Sequence, residues 1–580
     1  MGNCQRRPAR QEAKRAAGRS AGGVTAQHTV EVGATVRVAE GKYRSCVGVV
    51  TAVKHGSVWV KFEQKVVNFD LSRVQESYSE CDTQSDVSDL TPRSDECSRR
   101  SDWEADRDGQ DVMKSTFLEE FFKEDLQSRT SEFSGNWQSP GQHIKQGGKR
   151  FELVSAKDPS NNKPGQQGYK KNRIHFLYLA ADSFQCAQLR LERLADFASL
   201  SVAEKCAARL ELLQSRGKVC WRRADIFEWI TEPVDSAASG GCGFISLHLL
   251  RDLVGKAAGV SVTSVQVRVV GPQLGVIKGL LTWKPGIDVI QVPPSMRKVP
   301  PSKTCHDDWA CITVMDTFPG NLAKKLPNQT AFGGRPSLWQ PKDVSDMLEL
   351  LLSCHGVPSQ FLASYKKQKQ RPEAWMVGVA DPSGAIPAGH IFLPGLYQHV
   401  TDVFVVRSPC WRPCDGRILP VLRTKPRAMS ARDWEHLTSR PFGEVIFAKS
   451  PALPESIANG DLDGDRYWTC WDPTVVSTAK PQQLVAQPKA PSASHGRDRG
   501  WLLKAQEAML DAKGWRHIFW LAGRLCNHGR TWAKKSAEGL RHPVARECFD
   551  LFLDVIDNKR HGGSVDLPQH LRRDLRWKFD

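Results

Sequence analysis

The sequence predicts an α+β protein, and two kinds of pattern predict it. Short β-forming runs separated by glycines and prolines fill residues 240–320 and 373–475. Apolar residues recur at three- and four-residue steps over 189–213, 344–361 and 502–557, the spacing that gives a helix one buried face. With 40% of residues hydrophobic, the chain has enough apolar side chains to build a core.

The 580 residues allow about three to five domains. Residues 1–29 are basic and read as a flexible arm able to touch phosphates. Residues 30–75 read as a small SH3-like barrel of the KOW or Tudor sort. Val36-Arg37-Val38, Gly48-Val49-Val50 and Val58-Trp59-Val60-Lys61-Phe62 supply β-formers, punctuated by Gly33, Gly41, Gly48 and Gly56. Residues 76–149 open with a Ser/Asp/Glu-rich run poor in apolar side chains, which predicts a disordered acidic linker. A mixed segment, 150–238, leads to a β block at 239–324, a helical connector at 325–372 and a second β block at 373–477. Pro481, Pro488 and Pro491 mark a linker over 478–499, and 500–580 is helical in pattern.

The net charge of +17 points to a polyanionic partner, nucleic acid first. The 16 cysteines are scattered, with Cys410 and Cys414 the close pair, and no second pair stands at zinc-site spacing. They read as reduced thiols of an intracellular protein, in cytoplasm or nucleus. No stretch reaches the roughly 18 uncharged apolar residues of a membrane span, and no signal-peptide pattern opens the chain. Met1-Gly2-Asn3-Cys4 hints at acylation, but Arg6 stands where that pattern wants Ser or Thr. Neither a phosphate-binding Gly-x-x-x-x-Gly-Lys-Ser/Thr loop nor a His-Glu-x-x-His motif occurs.

The sharpest segment is Asn459-Gly460-Asp461-Leu462-Asp463-Gly464-Asp465-Arg466-Tyr467-Trp468. Carboxylates this close repel one another, so they belong in water or around a hard cation. On an extended chain Asp461 and Asp463 face one way. Gly464 permits a turn that returns Asp465 to the same ion, while Leu462 points into the core. An acidic surface turn fits poorly, because Val445-Ile446-Phe447 and Tyr467-Trp468-Thr469-Cys470-Trp471 read as buried strands. An EF-hand loop also fits poorly: counted from Asn459, its twelfth position is Cys470, where a bidentate glutamate belongs. A catalytic Mg²⁺ site of a nucleotidyl transferase fits best, and a degenerate copy of such a site is weakened by the presence of all three aspartates.

This segment closely resembles the signature of the cellular RNA-dependent RNA polymerases of RNA silencing, an Asp-x-Asp-Gly-Asp loop that multisubunit RNA polymerases also carry. Other blocks follow in the family's order. Ser239-Gly240-Gly241-Cys242-Gly243-Phe244-Ile245-Ser246 resembles Ser-Asp-Gly-x-Gly-x-Ile-Ser, with Gly240 for aspartate. Gly275-Val276-Ile277-Lys278-Gly279 resembles the Lys-Gly block, and Pro293-Pro294-Ser295-Met296-Arg297-Lys298 resembles Arg-Pro-Ser-Met-x-Lys. Gly378, Asp381 and Gly384 match a Gly-x-x-Asp-x-x-Gly hairpin. Arg407-Ser408-Pro409-Cys410 through Arg417 resembles Arg-Asn-Pro-Cys-x-x-Pro-Gly-Asp-x-Arg, and Asp557-Asn558-Lys559 with Gly562 weakly echoes a last block. The resemblance runs from about residue 170 to the end.

The resemblance implies two double-psi β-barrels in one chain, at 239–324 and 373–477, with the helical connector and C-terminal helices around them. It implies a polymerase that copies single-stranded RNA from nucleoside triphosphates into double-stranded RNA, with RNA-silencing proteins as partners. Asp461, Asp463 and Asp465 would hold Mg²⁺, with Mn²⁺ able to substitute, in a two-metal displacement. Lys278 and Lys298 would stabilise charge on the reacting phosphates, and a lysine in so apolar a run needs an anionic partner. Arg407, Arg417 and Arg297 would contact substrate or RNA phosphates. Trp59 and Trp411 are candidates to stack on bases, although most of the 18 tryptophans read as core. Two rival readings stand: a single-chain polymerase copying DNA into RNA, and an inactive RNA-binding scaffold.

Overall fold

The computed structural model describes residues 115–132, 140–157, 173–231, 240–255, 262–318, 341–368, 371–448, 453–479 and 500–575, apart from 201, 511 and 562–564, together with five strands between 35 and 76. The chain divides into two compact units, Met1–Leu90 and Thr91–Asp580.

In the first unit the β-formers between the glycines build an antiparallel sheet. Its order is Lys65–Asp70, Ser57–Phe62, Val47–Lys54, Thr35–Val38, Val74–Glu76. The last strand therefore returns to pair with the first, and a register shift between Val50 and Ala52 bends the central pair. The basic arm at 1–29 and the side chain of Trp59 lie outside the described residues.

In the second unit, residues within 115–132 and 143–149 form helix and strand, so the linker expected over 76–149 is too long at its C-terminal end. Thr116 caps the helix Phe117–Phe122 in a reciprocal box: its hydroxyl accepts from the Glu119 N–H while the Glu119 carboxylate accepts from the Thr116 N–H. Phe117 and Phe121 then pack on Trp221 and Trp309. A Thr-x-x-Glu capping signal followed by an aromatic run sets this segment apart from the acidic composition of 76–111. Strands Leu126–Glu132, Arg173–Ala180, Lys149–Lys157 and His143–Gln146 form a four-stranded antiparallel sheet behind this helix.

A nine-stranded sheet occupies the first β block and reaches beyond it. Its order is Phe227–Trp229, Ile290–Val292, Cys242–Ile245, Gly275–Trp283, Ser264–Gly271, Trp309–Phe318, Arg216–Arg223, Ser115–Thr116, and Arg297–Val299 pairs on Gly275–Trp283. Three of these strands precede residue 239, so the sheet is not confined to 239–324. Cys242–Ile245 runs parallel to Gly275–Trp283 and antiparallel to Ile290–Val292.

The second β block gives a six-stranded sheet: Ile391–Phe392, Glu444–Phe447, Glu373–Ala380, Arg466–Cys470, Asp402–Arg407, Gly416–Pro420. Its two edges meet. Ile391 bridges to Val421, and the Leu422 N–H donates to the Ile391 carbonyl at 2.8 Å. The sheet thus curls on itself around Val379, Val403, Val405, Ile446 and Leu462, all fully buried.

Helices Pro341–Cys354, Ala512–Lys535 and Pro543–His561 pack their apolar stripes on the outside of this curl. Trp411 belongs to that packing. It is 1% exposed and stacks on Phe549 with ring centroids 4.3 Å apart, so it is core and not a surface for bases. Cys410 and Cys414 are free thiols held above their ordinary range by burial. The helix Trp501–Leu510 leaves this group and packs with the segment 117–213 instead.

One polar network joins the two large sheets. Arg440 and Glu444 form an ion pair at 2.8 Å with both side chains fully buried. Glu444 accepts from the hydroxyls of Thr263 and Ser264 at 2.6 and 2.7 Å. Arg440 donates to the Thr282 hydroxyl and the Trp283 carbonyl at 2.6 and 3.0 Å. A buried ion pair must recover a desolvation cost of several kcal/mol, and these extra hydrogen bonds are what offset it. Burial and then the Arg440 charge push the neighbouring His436 down to about 3, so its ring is neutral.

Candidate metal centre

The aspartate loop lies between the helical turn Pro454–Ser456 and the strand Arg466–Cys470. It is anchored at several points. Leu462 is fully buried, and its N–H donates to the Gly240 carbonyl at 2.8 Å. Tyr467, also fully buried, donates its hydroxyl to the Asp461 carbonyl at 3.0 Å. The Gly378 N–H donates to the Asp465 carbonyl at 3.0 Å. Gly378 has to be glycine, because a Cβ there would stand 2.5 Å from the Tyr467 ring and 2.8 Å from the Leu462 side chain.

With its backbone held, the loop brings Asp461, Asp463 and Asp465 together. Their carboxylate oxygens lie within 4.8 Å of one another. Gly464 makes the turn with φ +120°, a conformation that L side chains rarely adopt. Asp461 and Asp465 also touch locally, the Asp461 N–H donating to Asp465 Oδ2 at 3.1 Å. Burial, and then the charges of Asp465 and Asp463, push the Asp461 carboxyl well above its ordinary range. Its Oδ1 is buried and accepts no hydrogen bond from the described residues. Three crowded hard oxygens with an unmet acceptor are a donor set that fits a divalent cation of the Mg²⁺ or Mn²⁺ kind.

Cations of the chain reach the same place from both sheets. Lys278, 9% exposed on Gly275–Trp283, pairs its ammonium with Asp463 Oδ2. Lys298 donates to the Ser295 carbonyl at 2.6 Å. Burial lowers the Lys298 ammonium from its usual range, while Asp463 and Asp461 pull it back up. Arg407 pairs with Asp465 at 2.5 Å and donates to the Ala458 carbonyl at 3.0 Å. Burial alone would lower this guanidinium, but Asp465 and Asp461 outweigh it and hold the proton firmly. Arg417 sits one step back, its Nε on the Ser456 carbonyl at 3.0 Å. Arg407 and Arg417 thus grip the backbone that leads into the loop, where Ala458 and Asn459 both adopt positive φ. Arg297 faces elsewhere: its guanidinium lies 3.6 Å from the ring centre of Trp229.

Two contacts at the loop went unread in the sequence. Gln266 donates its amide to the Asp463 carbonyl at 2.8 Å, and Gly240 and Gly241 lie against the loop from the other sheet. The signal for Gln266 was present: Gln266 and Arg268 alternate with Val265, Val267 and Val269, all fully buried, so the polar pair shares the opposite face.

A curled sheet bearing a carboxylate triad, faced by lysines from a second sheet, defines the class: a mixed α+β protein with a candidate cation centre between its sheets. The family profile described as RNA dependent RNA polymerase matches residues 105–328 and 372–579, and the chain belongs to that family. The match opens well before residue 170, where the resemblance read from the sequence begins. The "Probable RNA-dependent RNA polymerase 3" of Arabidopsis thaliana is 25% identical over 215 residues, 34% of this chain and 21% of that protein. The "Probable RNA-dependent RNA polymerase SHL2" of Oryza sativa subsp. japonica is 21% identical over 258 residues, 40% of this chain and 20% of that protein. Each match therefore spans about a fifth of the relative's length. Among solved structures, "RNA dependent RNA polymerase QDE-1 from Thielavia terrestris" shares the fold. Its TM-score is 0.52 at 13% identity, over 79% of this chain and 63% of that one.

Proposed function

We propose that this chain is the catalytic core of an RNA-directed RNA polymerase, making double-stranded RNA from a single-stranded RNA template and nucleoside triphosphates in RNA silencing. The observation that carries the reading is the meeting of Asp461, Asp463 and Asp465 with Lys278 of the other sheet. The two large sheets are read as double-psi β-barrels; for the six-stranded sheet the edge-to-edge closure at Ile391 and Val421 supports this. The N-terminal sheet, whose last strand pairs with its first, is read as an SH3-like barrel that contacts RNA or a silencing protein.

Asp461, Asp463 and Asp465 would hold Mg²⁺, with Mn²⁺ as substitute. When bound, the metal supplies Lewis-acid stabilisation of the attacking hydroxyl and of the pyrophosphate leaving group. The chain's own residues do the rest. Lys278, already at Asp463, is placed to turn its ammonium to the α-phosphate as charge develops there. Lys298 faces the same carboxylates from the neighbouring strand and adds positive potential. Arg407 and Arg417 fix the approach to the loop, and Gln266 fixes its backbone from the first sheet. Arg297, set against Trp229, is the weakest of the expected phosphate contacts and is read as a contact to the RNA strand. No helix among the described residues is long and apolar enough to cross a membrane.

The test is extension of a single-stranded RNA template with labelled nucleoside triphosphates and Mg²⁺, wild type beside Asp463→Ala, with single-stranded DNA in parallel. Template-length product from wild type alone supports the reading. Preference for the DNA template turns it into DNA-directed synthesis. A folded wild type that binds RNA and makes no product reduces the chain to a scaffold.

A further inference from the structure

Helix Ala512–Lys535 turns Leu525, Cys526 and Ala533 into the core that covers the curled sheet. A different ridge of the same helix carries Trp520, Arg524, His528 and Trp532 at four-residue steps, with Lys535 three residues further on. Residues four apart are neighbours on a helix surface, about 6 Å apart along its axis. Rings and cations therefore alternate along one line. The Arg524 guanidinium lies 5.0 Å from the ring centre of Trp520.

Trp532 is 38% exposed. A single exposed ring needs no explanation, but this one is held in a fixed orientation. Its indole N–H donates to Nε2 of His528 at 3.1 Å. Its ring stacks on His542, with centroids 4.8 Å apart and 10° between the planes. His542 is itself fixed at the start of helix Pro543–His561, where its carbonyl accepts from the Arg546 N–H at 3.0 Å.

The charge around this stack is one-sided. Over residues 524–546 the chain places Arg524, Arg530, Lys534, Lys535, Arg541 and Arg546 against Glu538 alone. Arg530 and Lys534 are taken by Asp346, and Arg541 donates to the Cys354 carbonyl. Arg524, Lys535 and Arg546 are exposed and have no ion pair among the described residues. Asp574 brings a carboxylate to 3.7 Å from His528 and pairs with none of these three. Flat rings beside exposed cations match a flexible strand that offers bases and phosphates in turn. A partner helix would call for an apolar ridge, and a duplex keeps its base faces covered.

We propose that this ridge is a binding surface for single-stranded RNA, with a base stacked on Trp532 and phosphates on Arg524 and Lys535. It stands on a helix that supplies none of the residues gathered at the aspartate loop. The choice of RNA over DNA rests on the polymerase reading; binding of a single strand does not, and is measured without turnover.

The experiment follows binding of a labelled, unstructured single-stranded RNA to the full chain by fluorescence anisotropy across a salt series, with an RNA duplex in parallel. Trp532→Ala, Trp532→Phe, Lys535→Gln and Arg524→Gln are compared with wild type, each checked for folding by thermal melting. Trp532→Ala should weaken single-strand binding about 5-fold or more and leave the salt dependence unchanged, since stacking releases no counterions. Trp532→Phe should recover part of that loss, because it keeps a π-face. Lys535→Gln and Arg524→Gln should each lower the slope of log affinity against log salt by about 0.7, the share of one phosphate on a single strand. Duplex affinity of Trp532→Ala should stay within about 2-fold of wild type. Equal loss on single strand and duplex overturns the stacking of a base. Unchanged single-strand binding in Trp532→Ala, with unchanged slopes in the two charge variants, overturns the surface and leaves the ridge to a protein partner. A wild type that does not bind the single strand overturns it as well. If Trp532→Ala does not fold, the slopes of Lys535→Gln and Arg524→Gln carry the test. A wild type that binds as expected yet makes no RNA removes the polymerase reading and leaves the strand surface standing.

Discussion

The side-chain amide of Gln266, on one sheet, donates to the main-chain carbonyl of Asp463, on the other, at 2.8 Å. Directly above that amide lies Gly464, where a Cβ would stand 2.1 Å from the Gln266 nitrogen. The contact therefore requires glycine twice, for its φ of +120° and for its missing side chain. The loop that gathers the carboxylates is shaped by the neighbouring sheet as well as by its own sequence.

Gly464→Ala separates these two demands. Backbone strain at such a position costs on the order of 1–3 kcal/mol, and a displacement of about 1 Å at a reacting centre can cost about 100-fold in rate. Extension activity should fall by that order while the melting temperature drops only a few degrees. Adding Gln266→Ala removes the clash and leaves the φ problem, so activity should return in part. Equal activity of Gly464→Ala and wild type would show that the loop tolerates the side chain and that the close approach is unimportant.

The ion pair of Lys278 with Asp463 makes a prediction about stability in the absence of any reaction. Lys278→Met leaves three mutually repelling carboxylates without their nearest ammonium and should lower unfolding stability by about 3 kcal/mol at low salt, in the range for breaking a buried pair. Mg²⁺ should then stabilise Lys278→Met more than wild type, because the ion replaces a missing charge. The response should vanish when Asp461, Asp463 and Asp465 are all changed to Asn. Thermal melts with and without Mg²⁺ read this directly, and a shift that survives the triple change would place the ion elsewhere.

The fully buried pair of Arg440 and Glu444 tests how the two large sheets are held together. Removing either partner alone strands a charge and several hydroxyls, so Arg440→Met or Glu444→Leu should each cost about 3–5 kcal/mol. The double variant should recover a good part of that, since neither charge is then left buried. Urea unfolding of the four proteins gives the coupling; additive costs would mean the pair is not acting as a unit.

What could be read in the sequence divides along physical lines. Asp461, Asp463 and Asp465 lie within five residues, so their meeting depends on one local turn, and the spacing with Gly464 was enough to find them. Lys278 was singled out by the block it shares with the polymerase family, and its apolar neighbours Val276, Ile277, Leu280 and Leu281 added that it needs an anion. The alternation around Gln266 marks a polar face but does not name Asp463, 197 residues away, and the i,i+4 spacing of Arg440 and Glu444 does not name Thr263 and Ser264 on the other sheet. Long-range pairing leaves no spacing to recognise. The helix Phe117–Phe122 was hidden differently, by an acidic neighbour whose composition was carried across a capping signal. Trp411 looked like a stacking surface because nothing in its local sequence announces Phe549 beneath it.

Asp415 gives a pH-dependent prediction away from the aspartate loop. Its Oδ2 accepts from the N–H groups of Trp411 and Arg412, both at 2.8 Å, which fixes the turn between two strands of the curled sheet. Burial dominates those hydrogen bonds and pushes the carboxyl from 3.8 up to about 6. The folded pKa is raised, so between those values the native chain holds a proton that the unfolded chain has released. Stability from this group is then fully present below 3.8, falls as pH rises, and is lost above about 6. The whole interval corresponds to ~3 kcal/mol. Asp415→Asn keeps an oxygen able to accept both N–H donors and removes the titration. Relative to wild type it should therefore gain about 3 kcal/mol of unfolding free energy between pH 4 and pH 7, read from urea curves at each pH. Parallel curves for the two proteins would mean that Asp415 is ionised in the fold throughout, and that its two backbone donors outweigh its burial.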